Sequence, residues 1–247
     1  MPEYFTFNSD SDHPHRLFGI PFTEMVKIEA KEKEFIMIDN INKKKLITFD
    51  HDFYIGAYPV TQALYEKVMG ENPSSYKGPQ RPVEQVSWND IMKDDGFLSK
   101  LNKKFSNQFQ GSFTLPSEAQ WLYAAAASAS PQDRMAYAGG NDLHDVGWFQ
   151  NNNGFITMPV GLKQPNASGL FDISGNVWEW CLDDWGELDA LNSSGRAAAN
   201  QQDKLKVDRG GSFGYRRGDA RLPYRNGYRP GDRARYHGFR LCFLSSS

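Results

Sequence analysis

The sequence predicts an α+β fold that is rich in loops, with short antiparallel sheets and two to three helices. Short runs of alternating apolar and charged residues in 25–47, and the triplet Phe53-Tyr54-Ile55, are typical of strands. Helical patterns occur only as far as Ala127, and beyond it Gly, Asn, Asp and Pro punctuate short aromatic runs, as in loops. With 247 residues, 39% of them hydrophobic, the chain can bury a sizeable core, and we expect a single domain over residues 1–247.

Three helices follow from their capping residues. The first is predicted to begin after Thr61, whose hydroxyl can cap it, and to end at Gly70. A second is predicted to run from Val86 to Phe105. The third begins at Ser117, which can form a capping box, and continues to Ala127.

Composition excludes several classes of protein. The formal charge of −2 gives no overall attraction to nucleic acid or anionic membrane. No window approaches the roughly 18 apolar residues of a membrane span, and the N-terminus has no basic start and apolar stretch of a signal peptide. The two cysteines, Cys181 and Cys242, allow one disulfide or two buried thiols, and neither lies in a zinc-type cluster.

The last 39 residues, from Arg209 to Ser247, differ in composition from the rest of the chain. They contain nine of the thirteen Arg and four Tyr, but no Lys, Glu, Gln, Met or Trp. Every residue type from Gly210 onward can be encoded by a codon that ends in a pyrimidine. Lys, Glu, Gln, Met and Trp have no such codon. If only the first two bases of these codons are diversified, the five residue types cannot arise, which would account for their absence. An ordinary Arg/Gly-rich loop region remains the alternative.

Six motifs in a fixed order identify a family. They are Phe53-Tyr54-Ile55-Gly56 with Pro59-Val60-Thr61, Asn72-Pro73-Ser74, Arg81-Pro82-Val83-Glu84-Gln85-Val86-Ser87-Trp88, Leu115-Pro116-Ser117-Glu118-Ala119-Gln120-Trp121, Gly169-Leu170-Phe171-Asp172-Ile173-Ser174-Gly175-Asn176-Val177-Trp178-Glu179-Trp180, and Arg209-Gly210-Gly211-Ser212 with Gly238-Phe239-Arg240. From about Glu24 to Phe243 the chain resembles the formylglycine-generating-enzyme, or sulfatase-modifying-factor, domain. The resemblance implies a variant C-type lectin fold with close termini. We expect the four tryptophans in these motifs to lie in the core.

The catalytic residues of that family are not matched. The resemblance implies a copper-dependent oxidase with two thiols after Gly-Gly-Ser, but Tyr215 and Ala220 stand at those positions. Neither side chain supplies the thiolate ligands that Cu(I) needs. We therefore expect no enzyme activity and no required cofactor. The related iron oxygenases need an additional helical domain with a His-rich metal site, and the five scattered His of this sequence lead us to expect no such site.

With its Arg/Tyr-rich C-terminal segment, the chain most resembles the variable proteins of diversity-generating retroelements. In those proteins a lectin-type scaffold displays a hypervariable C-terminal segment. That resemblance divides residues 209–243 into two groups. The scaffold positions are Gly210, Gly211, Ser212, Arg221, Arg225, Pro230, Arg233, Gly238, Phe239 and Arg240. The variable, ligand-binding positions are Phe213, Gly214, Tyr215, Arg216, Gly218, Asp219, Leu222, Tyr224, Asn226, Gly227, Tyr228, Arg229, Asp232, Ala234, Arg235, Tyr236 and His237.

These residue types favour a protein ligand. Tyr and Arg give large contact areas at modest entropic cost, and Gly, Asn and Asp allow loops to adapt. A nucleic acid would need a continuous row of cations along its phosphates. The segment contains Asp219 and Asp232 and has no Lys, so we expect no nucleic-acid partner. We expect the four scaffold arginines to be internal struts. The protein is expected to be a monomer at the cell surface or outer membrane, held by a lipid anchor outside this chain; a cytoplasmic location stays open.

The resemblance also implies a structural calcium ion. Its ligands would be Asp172, Gly175, Val177 and Glu179, and an oxygen-only set at this spacing suits calcium. Pairing of Glu179 with a buried Arg is the alternative. Two other functions stay open: an oxidase relative with a lost or altered active site, acting as enzyme or regulator, and a sugar-binding lectin, although no Glu-Pro-Asn or Gln-Pro-Asp triplet is present.

Overall fold

A computed structural model describes residues 1–7, 12–127, 129–188 and 204–245. In these ranges two four-stranded sheets, one hairpin and five helices are joined by long loops. The predicted α+β class and loop-rich character are confirmed. No helix among the described residues is long and apolar enough to cross a bilayer.

The first sheet contains both ends of the described chain. Its strands lie in the order β1 (Met25–Ile28), β4 (Phe53–Gly56), β10 (Cys242–Ser245) and β5 (Gly111–Thr114), and all its pairs are antiparallel. The N-terminal residues extend it, since Tyr4 bridges to Val26. The predicted strands at 25–47 and 53–55 are therefore present.

The hairpin and the second sheet complete the strands. β2 (Glu34–Ile38) and β3 (Lys44–Thr48) form the hairpin. The second sheet has the order β8 (Arg225–Tyr228), β7 (Lys206–Arg209), β6 (Trp178–Asp184) and β9 (His237–Phe239). β9 runs parallel to β6, which departs from the expected antiparallel sheets.

The helices begin where capping side chains predict them. α1 (Gln62–Met69) is capped by Thr61 and ends at Gly70, which has a φ of 81°. α4 (Glu118–Ala125) follows a capping box formed by Ser117 and Gln120.

The predicted second helix is interrupted. α2 (Trp88–Met92) ends where Lys93 turns to extended geometry, and α3 (Phe97–Phe105) begins after Gly96. A Cβ at Gly96 would lie 2.7 Å from the carbonyl oxygen of Asp90, so the turn requires glycine. A short α5 (Leu143–Val146), capped by Asp142, lies beyond Ala127 and was not predicted.

The two main hydrophobic clusters contain three of the four motif tryptophans, Trp88, Trp121 and Trp180. Trp121, Trp178 and Trp180 are fully buried, and Trp88 is 6% exposed. The indole nitrogen of Trp88 donates to the carbonyl of Cys181, and that of Trp180 donates to the carbonyl of Val86. The expected core role of these side chains is confirmed.

Candidate binding surface

The Arg/Tyr-rich segment runs through both large sheets. It leaves β7 at Arg209, forms a loop to β8, forms a second loop over 229–236, and returns through β9 and β10. The loops are therefore fixed at each end by strand pairing. Side chains on them can change without removing a strand from either sheet.

Two buried charge clusters fix the segment to the scaffold. Arg225 donates to both carboxylate oxygens of Glu118, at 2.8 and 2.6 Å, and Arg209 donates to the same carboxylate at 2.8 Å. Burial alone would raise the pKa of Glu118, but the two guanidinium groups outweigh it and lower this pKa. Arg240 is bound in the same way to Glu179. The predicted strut role is confirmed for Arg225 and Arg240.

The two other predicted struts are exposed. Arg221 lies on the surface, so its expected internal position is wrong. Arg233 is 60% exposed, and its guanidinium makes two 2.7 Å hydrogen bonds to Asp90. Because Asp90 also caps α2, this pair ties the loop 229–236 to that helix. Backbone bonds from Gln85 to Ala234 and from Asn89 to Pro230 strengthen the attachment.

Scaffold glycines are required by backbone geometry. Gly210 and Gly211 have φ values of 96° and 75°, and a Cβ on Gly211 would lie 2.8 Å from Cα of Ala220. Gly238 has a similar constraint, because its Cβ would lie 2.6 Å from the carbonyl oxygen of Val83. These positions cannot accept a larger side chain without a shift of backbone.

Most of the predicted variable positions are accessible, three are buried, and one is a glycine that lies against a tryptophan ring. The fully or partly accessible ones are Gly214, Tyr215, Arg216, Gly218, Asp219, Tyr224, Asn226, Tyr228, Arg229, Asp232, Ala234, Arg235 and Tyr236. Phe213, Leu222 and His237 are buried. A Cβ on Gly227 would lie 2.6 Å from the Trp185 ring. In this structure the buried side chains of Phe213, Leu222 and His237 are not placed to contact a ligand, contrary to the prediction, and Gly227 has no room for a side chain.

Three tyrosines form the centre of the accessible group. The hydroxyls of Tyr215 and Tyr228 are 3.2 Å apart, and the ring of Tyr236 lies 5.2 Å from that of Tyr215. Trp178 supports Tyr215 from the core, with ring centroids 5.4 Å apart and nearly perpendicular planes. Burial and the hydrogen bond with Tyr228 raise the pKa of Tyr215. We call Tyr215, Tyr228 and Tyr236 the tyrosine cluster.

A buried acid–histidine pair lies beneath this cluster. Nε2 of His237 is 3.0 Å from Oδ2 of Asp208, and both side chains are fully buried. The rings of Tyr228 and Tyr236 cover His237, at centroid distances of 4.4 and 4.9 Å. Burial raises the pKa of Asp208, and the contact with His237 offsets part of that rise. A substitution of His237 would leave Asp208 without this partner.

The tyrosine cluster has a basic rim. The side chains of Arg216, Arg229 and Arg235 are exposed, and none forms an ion pair with a residue in the described ranges. The acidic members of the segment are Asp219, which accepts the backbone N–H of Arg216 at 3.1 Å, and Asp232. The surface is therefore amphipathic at its centre and positively charged around it.

Of the two positions that correspond to the oxidase thiols, the first is part of the tyrosine cluster and the second is buried. Tyr215 belongs to it, and Ala220 is buried against Gly211. The thiols of the chain are elsewhere: Cys181 lies on β6 and Cys242 on β10, both buried and not joined to each other. The residues present do not fit the thiolate copper site that the resemblance implies.

The predicted calcium ligands do not fit a cation either. Glu179 accepts hydrogen bonds from Arg240 and, at 2.6 Å, from the indole of Trp121, so both its oxygens face donors. Oδ2 of Asp172 accepts the backbone N–H of Gly161 at 2.7 Å. Burial raises the pKa of Asp172 to about 6, which disfavours the charged form. In the described ranges no cluster of three or more acidic, His or Cys side chains could hold a metal.

One residue of the surface is not predicted by the sequence motifs. Tyr76 accepts a hydrogen bond from Arg235 at 3.2 Å, and its ring packs edge-on against Phe213 at 5.5 Å. It lies in the loop between the Asn72-Pro73-Ser74 and Arg81-Pro82 motifs. An aromatic residue between two motif phrases was the only signal that could have indicated it.

Comparison with known proteins agrees with this fold. Treponema denticola variable protein 1 superposes with a TM-score of 0.80 at 26% identity, covering 97% of this chain and 98% of that one. PvdO from Pseudomonas aeruginosa gives a TM-score of 0.77 at 25% identity, covering 98% of both chains. These likenesses confirm the predicted C-type lectin fold of the formylglycine-generating-enzyme type.

Two curated sequences are similar to part of this chain. The chaperone protein LppX of Paenibacillus barcinonensis is 33% identical over 53% of this chain and 61% of its own length. The formylglycine-generating enzyme of Thermomonospora curvata is 29% identical over 62% of this chain and 52% of its own length. The matched region therefore spans less than two thirds of either curated relative. The model of the sulfatase-modifying factor enzyme 1-like domain matches residues 20–243, and the chain belongs to that family.

Proposed function

We propose that this protein is a non-enzymatic binding protein whose C-terminal surface is diversified to capture varied protein ligands. The observation that carries the proposal is the tyrosine cluster with its basic rim, presented on loops whose ends are fixed by Arg225, Arg240 and the strands. Large aromatic side chains on a rigid support give affinity at low entropic cost. The likeness to a variable protein supports the same reading.

The separation of struts from accessible side chains supports diversification. The carboxylates of Glu118 and Glu179 are satisfied by Arg209, Arg225 and Arg240, which are buried and offer almost no surface to a ligand. Arg216, Arg229 and Gly214 are exposed, and no heavy atom lies within 4 Å of the Cβ position of Gly214. Changes at such exposed positions usually alter stability by less than about 0.5 kcal/mol. The fold can therefore tolerate a changing surface.

Selection of ligands tests this function. A random peptide library displayed on phage is selected on the immobilised full chain, and recovered peptides are measured by fluorescence anisotropy. The proposal expects binding that weakens about tenfold or more in the variant Tyr228→Ala. Leu46→Ala, an exposed apolar substitution on β3, is the matched control and should bind as the unmodified protein does. Peptides that bind both variants equally would contradict the proposal.

A relative of the oxidase with an altered site is the second candidate. Ser212 Oγ and Trp178 Nε1 are buried beside Tyr215 and have no hydrogen-bond partner in the described ranges. Two unsatisfied donors next to the position of the family's thiols are compatible with a small polar ligand there. An assay for oxidation of a Cys-containing peptide, with copper supplied, separates the two. Turnover would favour the enzyme and contradict the binding function.

A further inference from the structure

The structure extends the binding surface beyond residues 209–243, an inference that rests on the proposed function. Tyr76 lies well outside the segment but contacts it twice: its hydroxyl accepts the hydrogen bond from Arg235, and its ring meets Phe213. The residue is half-buried, so part of it is accessible beside the segment. Tyr76 therefore continues the aromatic surface on a loop of different sequence.

The backbone around Tyr76 is held by buried side chains. Its N–H donates to Glu84 at 2.8 Å, and its carbonyl accepts from the amide of Gln62 at 2.8 Å. Gln62 and Glu84 are fully buried, and Gln62 also accepts from the backbone N–H of Gly78 at 3.0 Å. A side chain on a backbone fixed in this way loses little conformational freedom when a ligand binds. This is the property of an affinity hot spot.

The exposed charges near Tyr76 are basic. Lys77 is exposed next to it, with its ammonium group donating to the carbonyl of Asn72 at 2.6 Å, and the exposed Arg235 donates to its hydroxyl. The acidic neighbour, Glu84, is buried below the loop, where burial raises its pKa. A ligand at this site therefore meets two cations and an aromatic ring, with the nearby carboxylate turned inward.

We infer that Tyr76 is a constant aromatic anchor of the binding surface, and that Lys77 and Arg235 beside it select protein ligands that carry carboxylates. Charge complementarity of this kind guides association and excludes partners of the same charge. A nucleic acid would require a continuous run of cations along its phosphates, and Asp219 and Asp232 interrupt such a run here. The diversified positions, Arg235 among them, would then change specificity around the constant contact formed by Tyr76 and Lys77.

The peptides selected on the full chain test this inference. Their composition is compared with that of the unselected library, and their affinities are measured for Tyr76→Ala, Tyr76→Phe and Lys77→Glu. We expect enrichment of Asp and Glu, and losses of about tenfold or more for Tyr76→Ala and Lys77→Glu. Tyr76→Phe should lose less, because it keeps the ring contact with Phe213. Lys44→Glu, an exposed charge reversal on β3, is the control and should bind unchanged.

The outcomes separate this inference from the proposed function. Peptides that depend on Tyr228 but are unaffected by Tyr76→Ala, Tyr76→Phe and Lys77→Glu would overturn the inference and leave the proposed function standing. Recovery of no binding peptides would count against both. Single-stranded DNA would be the better ligand if it displaces the peptides and if its own affinity falls in Lys77→Glu. That result would overturn the inferred preference for protein ligands. Tyr76→Phe keeps the test valid if Tyr76→Ala fails to fold.

Discussion

The guanidinium group of Arg240 meets the carboxylate of Glu179 through hydrogen bonds of 2.8 and 3.0 Å, and both side chains are fully buried. Arg240 also donates to the carbonyl oxygens of Gly56 and Phe171, each at 2.7 Å. One residue near the C-terminus thereby connects β4, β6 and the loop before β6. The segment that carries the tyrosine cluster depends on this connection.

Loss of Arg240 should strongly destabilise the protein. Arg240→Ala leaves Glu179 buried without its cation, and removal of one partner of such a pair costs about 3–5 kcal/mol. The free energy of unfolding, measured by urea denaturation, should fall by that amount. Arg229→Ala removes an exposed arginine of the same segment and should change it by less than about 0.5 kcal/mol. Equal losses would refute the division into struts and displayed side chains.

Two glycines of the segment should respond differently to a methyl group. Gly211 has a φ of 75° and lies against Ala220, so Gly211→Ala should cost about 1–3 kcal/mol through backbone strain and crowding. Gly214 has open space around its Cβ position, so Gly214→Ala should change stability by less than about 0.5 kcal/mol. Thermal unfolding of both variants checks this. A larger loss at Gly214 would be inconsistent with a displayed position.

Asp172 should make stability depend on pH. Burial raises its pKa from 3.8 to about 6, so the folded chain retains a proton that the unfolded chain releases between these values. The stability contributed by this group is fully present below pH 3.8 and is lost as the pH rises through about 6. The free energy of unfolding falls by at most about 3 kcal/mol over this range. Asp172→Asn cannot ionise, and Asn tolerates the φ of 54° at this position.

The measurement compares the two proteins by urea unfolding at about pH 4 and about pH 7. The unmodified protein should lose stability over this range relative to Asp172→Asn. A constant difference between the two proteins would show that folding does not raise the pKa of Asp172.

The two thiols should be free and unreactive in the folded protein. Burial raises the pKa of Cys181 and of Cys242, which suppresses the thiolate needed for reaction. A colourimetric thiol reagent should label neither cysteine under native conditions and both in denaturant without reductant. Absence of labelling in denaturant would reveal a disulfide, contrary to the structure.

Much of the fold could be predicted because its signals are local. The caps at Thr61 and Ser117 and the glycine at 70 fixed two helices, and the tryptophans of the motifs marked the core. The break after Met92 was missed, because the apolar pattern continues across it and only a close contact at Gly96 demands the turn. The parallel pairing of β9 with β6 depends on contacts distant in sequence, which no local pattern reveals.

The binding surface was predicted less completely. The Arg/Tyr composition of residues 209–243 located it, but composition cannot show which side chains point inward. Phe213, Leu222 and His237 pack into the scaffold, and Arg221 faces solvent, because loop geometry decides orientation there. Tyr76 joins the surface only through the three-dimensional contact with Arg235.

Deep sequencing of the last part of this gene across a population of the source organism tests the central claim most directly. A diversified binding surface predicts substitutions concentrated in the first two codon bases at accessible positions such as Tyr215, Arg229 and Tyr236. It also predicts fixed codons for Arg225 and Arg240, whose side chains satisfy buried carboxylates. A uniform sequence with ordinary third-base drift would contradict the account and make the oxidase relative the better explanation.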